Sequence, residues 1–272
     1  MIKKHCAASF WRAPALALSG LLGAAPAAAA DAYASDWVKS LKSSARLISA
    51  GGAVAGVEIQ LAPGAITYWR NPGDAGLPPA FSFEGSANLA KAEPRFPAPK
   101  RIVERDATAF GYDHGVILPI DVTPSDPAKP VVLALKLNYA VCENICVPAQ
   151  ASLSLSLPTA ADSPFAPAIA AAKSQVPRVV EWASLNADFV ALEDNRWRLC
   201  LPGQALAARD AFIEAPDQWW ITMSAQADAS RPNACFAVAL KQKPEGASLP
   251  VTARLTITGG PEPIETSLVL AQ

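Results

Sequence analysis

Two alternating runs that meet at a pair of cysteines constrain the fold more than any other feature of this chain. Val131–Tyr139 reads VVLALKLNY and closes by alternating Leu135, Leu137 and Tyr139 with Lys136 and Asn138. Ala151–Leu157 reads A-S-L-S-L-S-L. A period of two marks a strand with one buried face, because successive side chains point to opposite sides of a sheet. Between the runs lie Cys142 and Cys146, separated by Glu143, Asn144 and Ile145. Three residues are the length of a hairpin loop. In one straight strand, residues four apart lie roughly 13 Å from each other, beyond disulfide reach. Across a hairpin tip they become neighbours. The pair is therefore expected at the end of a sheet, near solvent.

The rest of the chain carries the same signature. Val57, Ile59 and Leu61 alternate with Glu58 and Gln60 before Pro63-Gly64. Further strands are expected at Leu77–Phe83, Ile102–Val103 and Val116–Val122, with a helical turn or edge strand within Trp37–Arg46. Proline-rich punctuation sits at 94–99 and 124–130. From Pro158 to about Pro177 the sequence turns to Ala, Pro and Ser, with a short helix expected over Ala168–Lys173. Strands resume at Trp197–Leu201, Phe212–Glu214, Trp219–Ser224, Cys235–Leu240, Val251–Thr258 and Glu265–Leu270. Nothing alternates as βαβ. The fold class expected is all-β, a β-sandwich or barrel in each half, with domains at 31–158 and 178–272 joined by a linker at 159–177.

Residues 1–30 read as a signal peptide. Lys3, Lys4 and Arg12 precede an apolar run at Ala13–Leu22, and Ala28-Ala29-Ala30 offers a small-residue cleavage site. The run is shorter than the ~20 residues a membrane span needs. Cys6 lies ahead of it and would be removed with the signal. Subtracting the signal's three basic residues from 23 leaves 20 against 24 acidic, a net charge of −4. That excess speaks against nucleic acid, whose partners need a basic footprint. The exported product is expected to be soluble in the periplasm.

Cys142, Cys146, Cys200 and Cys235 would remain after export. In the chain-entropy picture, closing the tight 142–146 loop contributes about 2 kcal/mol and closing 200–235 roughly 4. The tight loop is the poorer staple, and a small loop at an exposed tip suits exchange with another protein's thiols. On spacing alone, a plain hairpin staple and a redox pair weigh about equally. Cys200 and Cys235 each fall in an expected strand and read as a structural disulfide. Glu143 is the charged residue nearest the pair in sequence. Tyr68, Trp69, Tyr112 and His114 are the side chains whose reach toward the pair depends on the fold. His114 reads as a turn residue, and Arg70 with Asp74 as a polar turn. Trp37, Trp219 and Trp220 read as core or partner-facing aromatics, with core the default. Zinc or iron chemistry lacks ligands here. Two thiolates at Cys142 and Cys146 would suit Cu(I). No phosphate-cradling loop or paired catalytic carboxylates are present, and the reading calls for no cofactor.

Three segments together carry a family resemblance. They are Tyr139-Ala-Val-Cys142-Glu-Asn-Ile-Cys146-Val-Pro148-Ala, the upstream Thr67-Tyr-Trp-Arg-Asn-Pro-Gly-Asp-Ala-Gly-Leu-Pro78, and Phe110-Gly-Tyr-Asp-His114. Over about residues 45–158 the chain resembles the N-terminal periplasmic domain of the DsbD/ScsB family of thiol:disulfide interchange proteins. The resemblance implies an immunoglobulin-like sandwich with Cys142 and Cys146 as its redox pair. Which of the two attacks an incoming disulfide is left open, with Cys146 favoured as the residue that forms mixed disulfides. Electrons would come from a membrane-embedded DsbD/CcdA-like thiol reductase and pass to oxidised periplasmic proteins. The enzymatic form of this reading is a protein-disulfide reductase. The C-x3-C spacing matches the ScsB-like branch, which is linked with copper tolerance. Full-length members continue into a membrane region and a thioredoxin-like domain. Neither follows in this sequence, so the expectation is that a separate membrane protein supplies the electrons, or that the domain has been repurposed. The alternative is a non-enzymatic binding module whose disulfides are both structural, or a Cu(I)-binding protein.

Overall fold

A computed structural model describes residues 32–74, 76–104, 107–160, 162–202, 210–226 and 234–272. The expected signal peptide and Cys6 lie outside the described residues. Eleven described strands precede residue 158: β1 Val38–Lys39, β2 Ser43–Gly51, β3 Val54–Leu61, β4 Ile66–Gly73, β5 Ala80–Ser82, β6 Leu89–Pro94, β7 Lys100–Glu104, β8 Ala107–Tyr112, β9 Val116–Pro124, β10 Val132–Cys142 and β11 Cys146–Ser156. They form one sheet in the order β1-β2-β3-β9-β6 and a second in the order β11-β10-β4-β8-β7, with β5 also on β10.

The two sheets close face to face over a shared core. Leu47, Val57, Ile59, Leu118 and Ile120 come from the first sheet, and Leu133, Leu135, Leu137, Leu153 and Leu155 from the second. The alternation in β10 and β11 does what its period requires. The leucines enter the core, while Ser152, Ser154 and Ser156 face outward. Each large aliphatic side chain taken out of water contributes about 1.5–3 kcal/mol. The Tyr139 hydroxyl, in this core, shares a 2.8 Å hydrogen bond with Ser43 Oγ.

Strand β10 is full length on one side and divided on the other. It pairs with β11 from Val132↔Ser156 to Cys142↔Cys146. On the opposite edge, β5 takes Lys136–Asn138 while β4 takes Val141 and Cys142. Strand β4 departs because its pairing with β8 shifts register between Tyr68 and Gly73. Pro72, which has no N–H to donate, lies within that irregular stretch.

The segment after β11 is docked against the first sandwich. Helix α1, Ala166–Ser174, buries Ile169 to 1 % exposure. Lys173 Nζ reaches Asp121 Oδ1 on β9 at 2.8 Å, and Ser163 Oγ donates to the Ser49 carbonyl. Eight strands follow: β12 Arg178–Val179, β13 Asp188–Leu192, β14 Arg196–Leu201, β15 Asp210–Glu214, β16 Trp220–Gln226, β17 Ala234–Gln242, β18 Val251–Thr258 and β19 Ile264–Leu270. They pair as β12-β19-β18-β15 and β13-β14-β17-β16. These sheets share a second core that includes Trp197, Leu199, Phe236, Val238, Leu255 and Leu268. The chain is thus all-β and immunoglobulin-like. No described helix is long and apolar enough to cross a membrane.

Candidate redox site

Cys142 ends β10 and Cys146 begins β11, and the two are directly opposed across the hairpin. Their Cα atoms lie 4.0 Å apart and the sulfurs are bonded. The loop Glu143-Asn144-Ile145 projects beyond the last pair, with Ile145 77 % exposed. The two sulfurs have different surroundings. Cys142 is only 1 % exposed, because β10 at that point is an interior strand with β4 on one side and β11 on the other. Cys146 begins a strand at the edge of its sheet and is exposed.

A small apolar cluster on the outer face of this sheet covers Cys142. It comprises Ile66, Tyr68, Ala109, Ala140 and Cys142, with Ile102 packed against it. Thr67 Oγ1 donates to the Ala140 carbonyl at 2.9 Å and fixes β4 against β10 beside the bridge. Tyr68, the next residue, places its hydroxyl 2.6 Å from Cys142 Sγ and 3.3 Å from Cys146 Sγ. A phenol there contributes an O–H donor that strengthens as a sulfur gains negative charge. Glu143 is held by Lys42, from the loop between β1 and β2, at 2.8 Å. The carboxylate at the tip is thus balanced by a cation from the other sheet.

Of the four side chains whose reach depended on the fold, Tyr68 is the one bonded to the sulfurs. Trp69 turns into the core and is fully buried. The Tyr112 hydroxyl donates to the Pro97 carbonyl at 2.8 Å, and burial pushes its phenol well above the ordinary range, so it stays neutral. His114 is exposed and bonded to Asp113 Oδ1 at 2.8 Å. Lys100 Nζ shares that oxygen at 2.7 Å and leads the contacts holding the Asp113 carboxyl below its usual range. Among the described residues, no three His, Cys, Asp or Glu side chains gather as a metal-binding group.

Cys200 and Cys235 are also bonded and directly opposed, on β14 and β17. Each is 3 % exposed. Arg70 does not stay within a local polar turn with Asp74. It leaves the first sandwich to pair with Glu214 on β15 and Glu265 on β19. Of the paired tryptophans, Trp219 packs against the second core but Trp220 is 52 % exposed. Residues 144 and 195 positions away give no sequence signal for the Arg70 contacts.

Residues 39–158 match the family described as thiol:disulfide interchange protein DsbD, N-terminal. The fold is similar to the crystal structure of the N-terminal periplasmic domain of ScsB from Proteus mirabilis. That similarity has a TM-score of 0.69 at 19 % identity and covers 88 % of this chain and 99 % of that one. No curated protein matches the chain. The segment that builds both the cysteine hairpin and the Tyr68 strand is thus the segment that matches the N-terminal domain of DsbD-type thiol:disulfide interchange proteins.

Proposed function

We propose that the protein transfers reducing equivalents by thiol–disulfide exchange at Cys142 and Cys146, with Cys146 as the sulfur that meets partners. The observation that carries this reading is the contrast between an exposed Cys146 and a Cys142 that is 1 % exposed beneath the Tyr68 hydroxyl. A thiolate must approach a disulfide along the S–S axis. Attack on Cys146 comes from solvent and expels Cys142 toward Tyr68. Attack on Cys142 would require passage through the apolar cluster.

The cycle balances as two exchanges. A donor dithiol attacks Cys146 Sγ as a thiolate, the Cys142–Cys146 bond breaks, and Cys142 leaves as a thiolate that accepts the Tyr68 O–H. The donor's second thiol, deprotonated, resolves the mixed disulfide and leaves oxidised donor and reduced protein. Reduced Cys146 then attacks the disulfide of an oxidised protein and expels one of its sulfurs. Cys142 attacks Cys146, re-forms the internal bridge and releases the second sulfur. Two electrons and two protons pass from donor to acceptor. Donor and acceptor are read as a membrane-embedded DsbD/CcdA-like thiol reductase and oxidised periplasmic proteins. Residues 31–158 would carry the exchange, and residues 178–272 would form the second domain.

Mixed-disulfide trapping tests this assignment. The Cys142→Ser protein, reduced and mixed with a protein disulfide, should accumulate a covalent adduct at Cys146. The Cys146→Ser protein should give little. Equal trapping by both, or by neither, would rule the assignment out.

A further inference from the structure

Strand β4 serves two neighbours at once. Tyr68 touches both sulfurs, and the three residues after it grip the C-terminal sandwich. Trp69 meets Phe212 edge-on at 6.0 Å between ring centres, and Phe110 meets the same ring at 4.9 Å. Phe212 belongs to β15 yet is fully buried in the core of the first sandwich. Arg70 donates to Glu214 through Nε at 2.9 Å and Nη2 at 2.7 Å, and pairs with Glu265 as well. Burial alone would lower the affinity of this guanidinium for its proton. The two carboxylates more than offset that, and its pKa lies above the ordinary value.

Asn71 has the connection that matters for the disulfide. Its Nδ2 donates to the Ile213 carbonyl of β15 at 3.0 Å. Its Oδ1 accepts the Gly73 N–H at 3.1 Å. Gly73 has φ +83 and Gly76 φ +106, a region that glycine enters at little cost. A Cβ on Gly76 would collide with the Tyr68 ring at Cε1, Cζ and Cδ1. Gly76, three positions beyond the Gly73 that Asn71 holds, thus lies against the ring whose hydroxyl meets the sulfurs. One amide side chain holds the second sandwich with one end and, with the other, the Gly73 backbone three positions before that glycine.

We propose that Asn71 is a positioning residue for exchange at Cys142–Cys146, coupling the C-terminal sandwich to the Tyr68 hydroxyl. This inference rests on the redox reading above. A donor must be held within about 0.5 Å to work on a developing charge. Loss of the Asn71 bonds frees the turn, and Tyr68 with it, while leaving Thr67 and the hairpin register in place. The reduced state, in which Cys142 accepts the phenol O–H, loses part of its stabilisation. The bridge becomes harder to reduce.

The test is the equilibrium of the full chain with glutathione buffers, quenched by alkylation and read by mass spectrometry. Tyr68→Phe should shift the Cys142–Cys146 equilibrium constant toward the disulfide by about fivefold, the size of one ordinary hydrogen bond. Asn71→Leu should shift it the same way by about twofold or more. The double variant should match Tyr68→Phe alone, since Asn71 acts only through that hydroxyl. Arg101→Gln is the control. It breaks a three-bond grip on Asp210 and bonds to the Ala211 and Met223 carbonyls at the same junction, from β7 and not β4. It should leave the constant unchanged. If Asn71→Leu does not fold, Asn71→Asp keeps the acceptor for Gly73, loses the donor to Ile213, and should shift the constant in the same direction. A wild-type constant in the Asn71 variant that folds, effects that multiply in the double variant, or an equal shift from Arg101→Gln would each overturn the inference. A wild-type bridge that does not exchange with glutathione at all would instead defeat the redox reading.

Discussion

The two disulfides of this chain share one local geometry and differ in everything around it. Each joins directly opposed residues on adjacent antiparallel strands, with Cα atoms 4.0 and 4.1 Å apart. Cys200–Cys235 lies with both residues 3 % exposed and spans 35 positions of sequence. Cys142–Cys146 closes a separation of four at a hairpin tip, with one sulfur in solvent and the other under a phenol. Cross-strand geometry therefore does not distinguish a staple from an exchange centre. On the proposed reading, access to one sulfur and a donor placed for the sulfur that leaves make that distinction.

The comparison can be broken most visibly by kinetics. In the folded protein, a small dithiol reductant should open Cys142–Cys146 at least about 100-fold faster than Cys200–Cys235, since exchange rates depend on access as well as thiol chemistry. Alkylation timed against reduction reads both bonds in one sample, and equal rates would erase the distinction. The next effect is on stability, and it runs the other way. Replacing Cys200 and Cys235 with Ala should cost up to about 4 kcal/mol in urea unfolding, and replacing Cys142 and Cys146 about 2, because the longer loop restrains the unfolded chain more. A larger loss from the hairpin pair would make it the staple. The smallest effect concerns Lys42, whose side chain is 43 % exposed. Lys42→Ala should slow reduction of the hairpin bond by no more than about threefold, as exposed ion pairs contribute under about 1 kcal/mol. The rate at Cys200–Cys235 should not change.

Much of the fold was legible because its signals are local. The runs before Cys142 and after Cys146 became β10 and β11, and a three-residue loop placed the cysteines opposite each other. Short strands without a clear alternation were harder. Leu77–Phe83 shrinks to Ala80–Ser82, since Pro78 and Pro79 have no N–H for a ladder. Leu89–Pro94, rich in Ala and charge, has little β-branched character and gave no strand signal. Trp37–Arg46 resolves into an edge pair at Val38–Lys39 and the start of β2.

The candidate site divides in the same way. Cysteine spacing is local, so the pair was readable. Tyr68 could be named only as one of four contenders, because it reaches Cys142 across 74 positions. The junction was invisible from sequence. Arg70, Asn71 and Phe212 look like ordinary turn and strand residues until β15 is laid against β4. Long-range strand pairing, which no window of sequence encodes, decides those contacts.

The central claim is that Cys142–Cys146 is poised for exchange. Its reduction potential in the full chain, measured against glutathione alongside Cys200–Cys235, tests this most directly. The account predicts a value for Cys142–Cys146 within roughly −120 to −270 mV, the span of known exchange proteins, with Cys200–Cys235 below about −300 mV. A Cys142–Cys146 value also below about −300 mV would make both bonds structural and contradict the account.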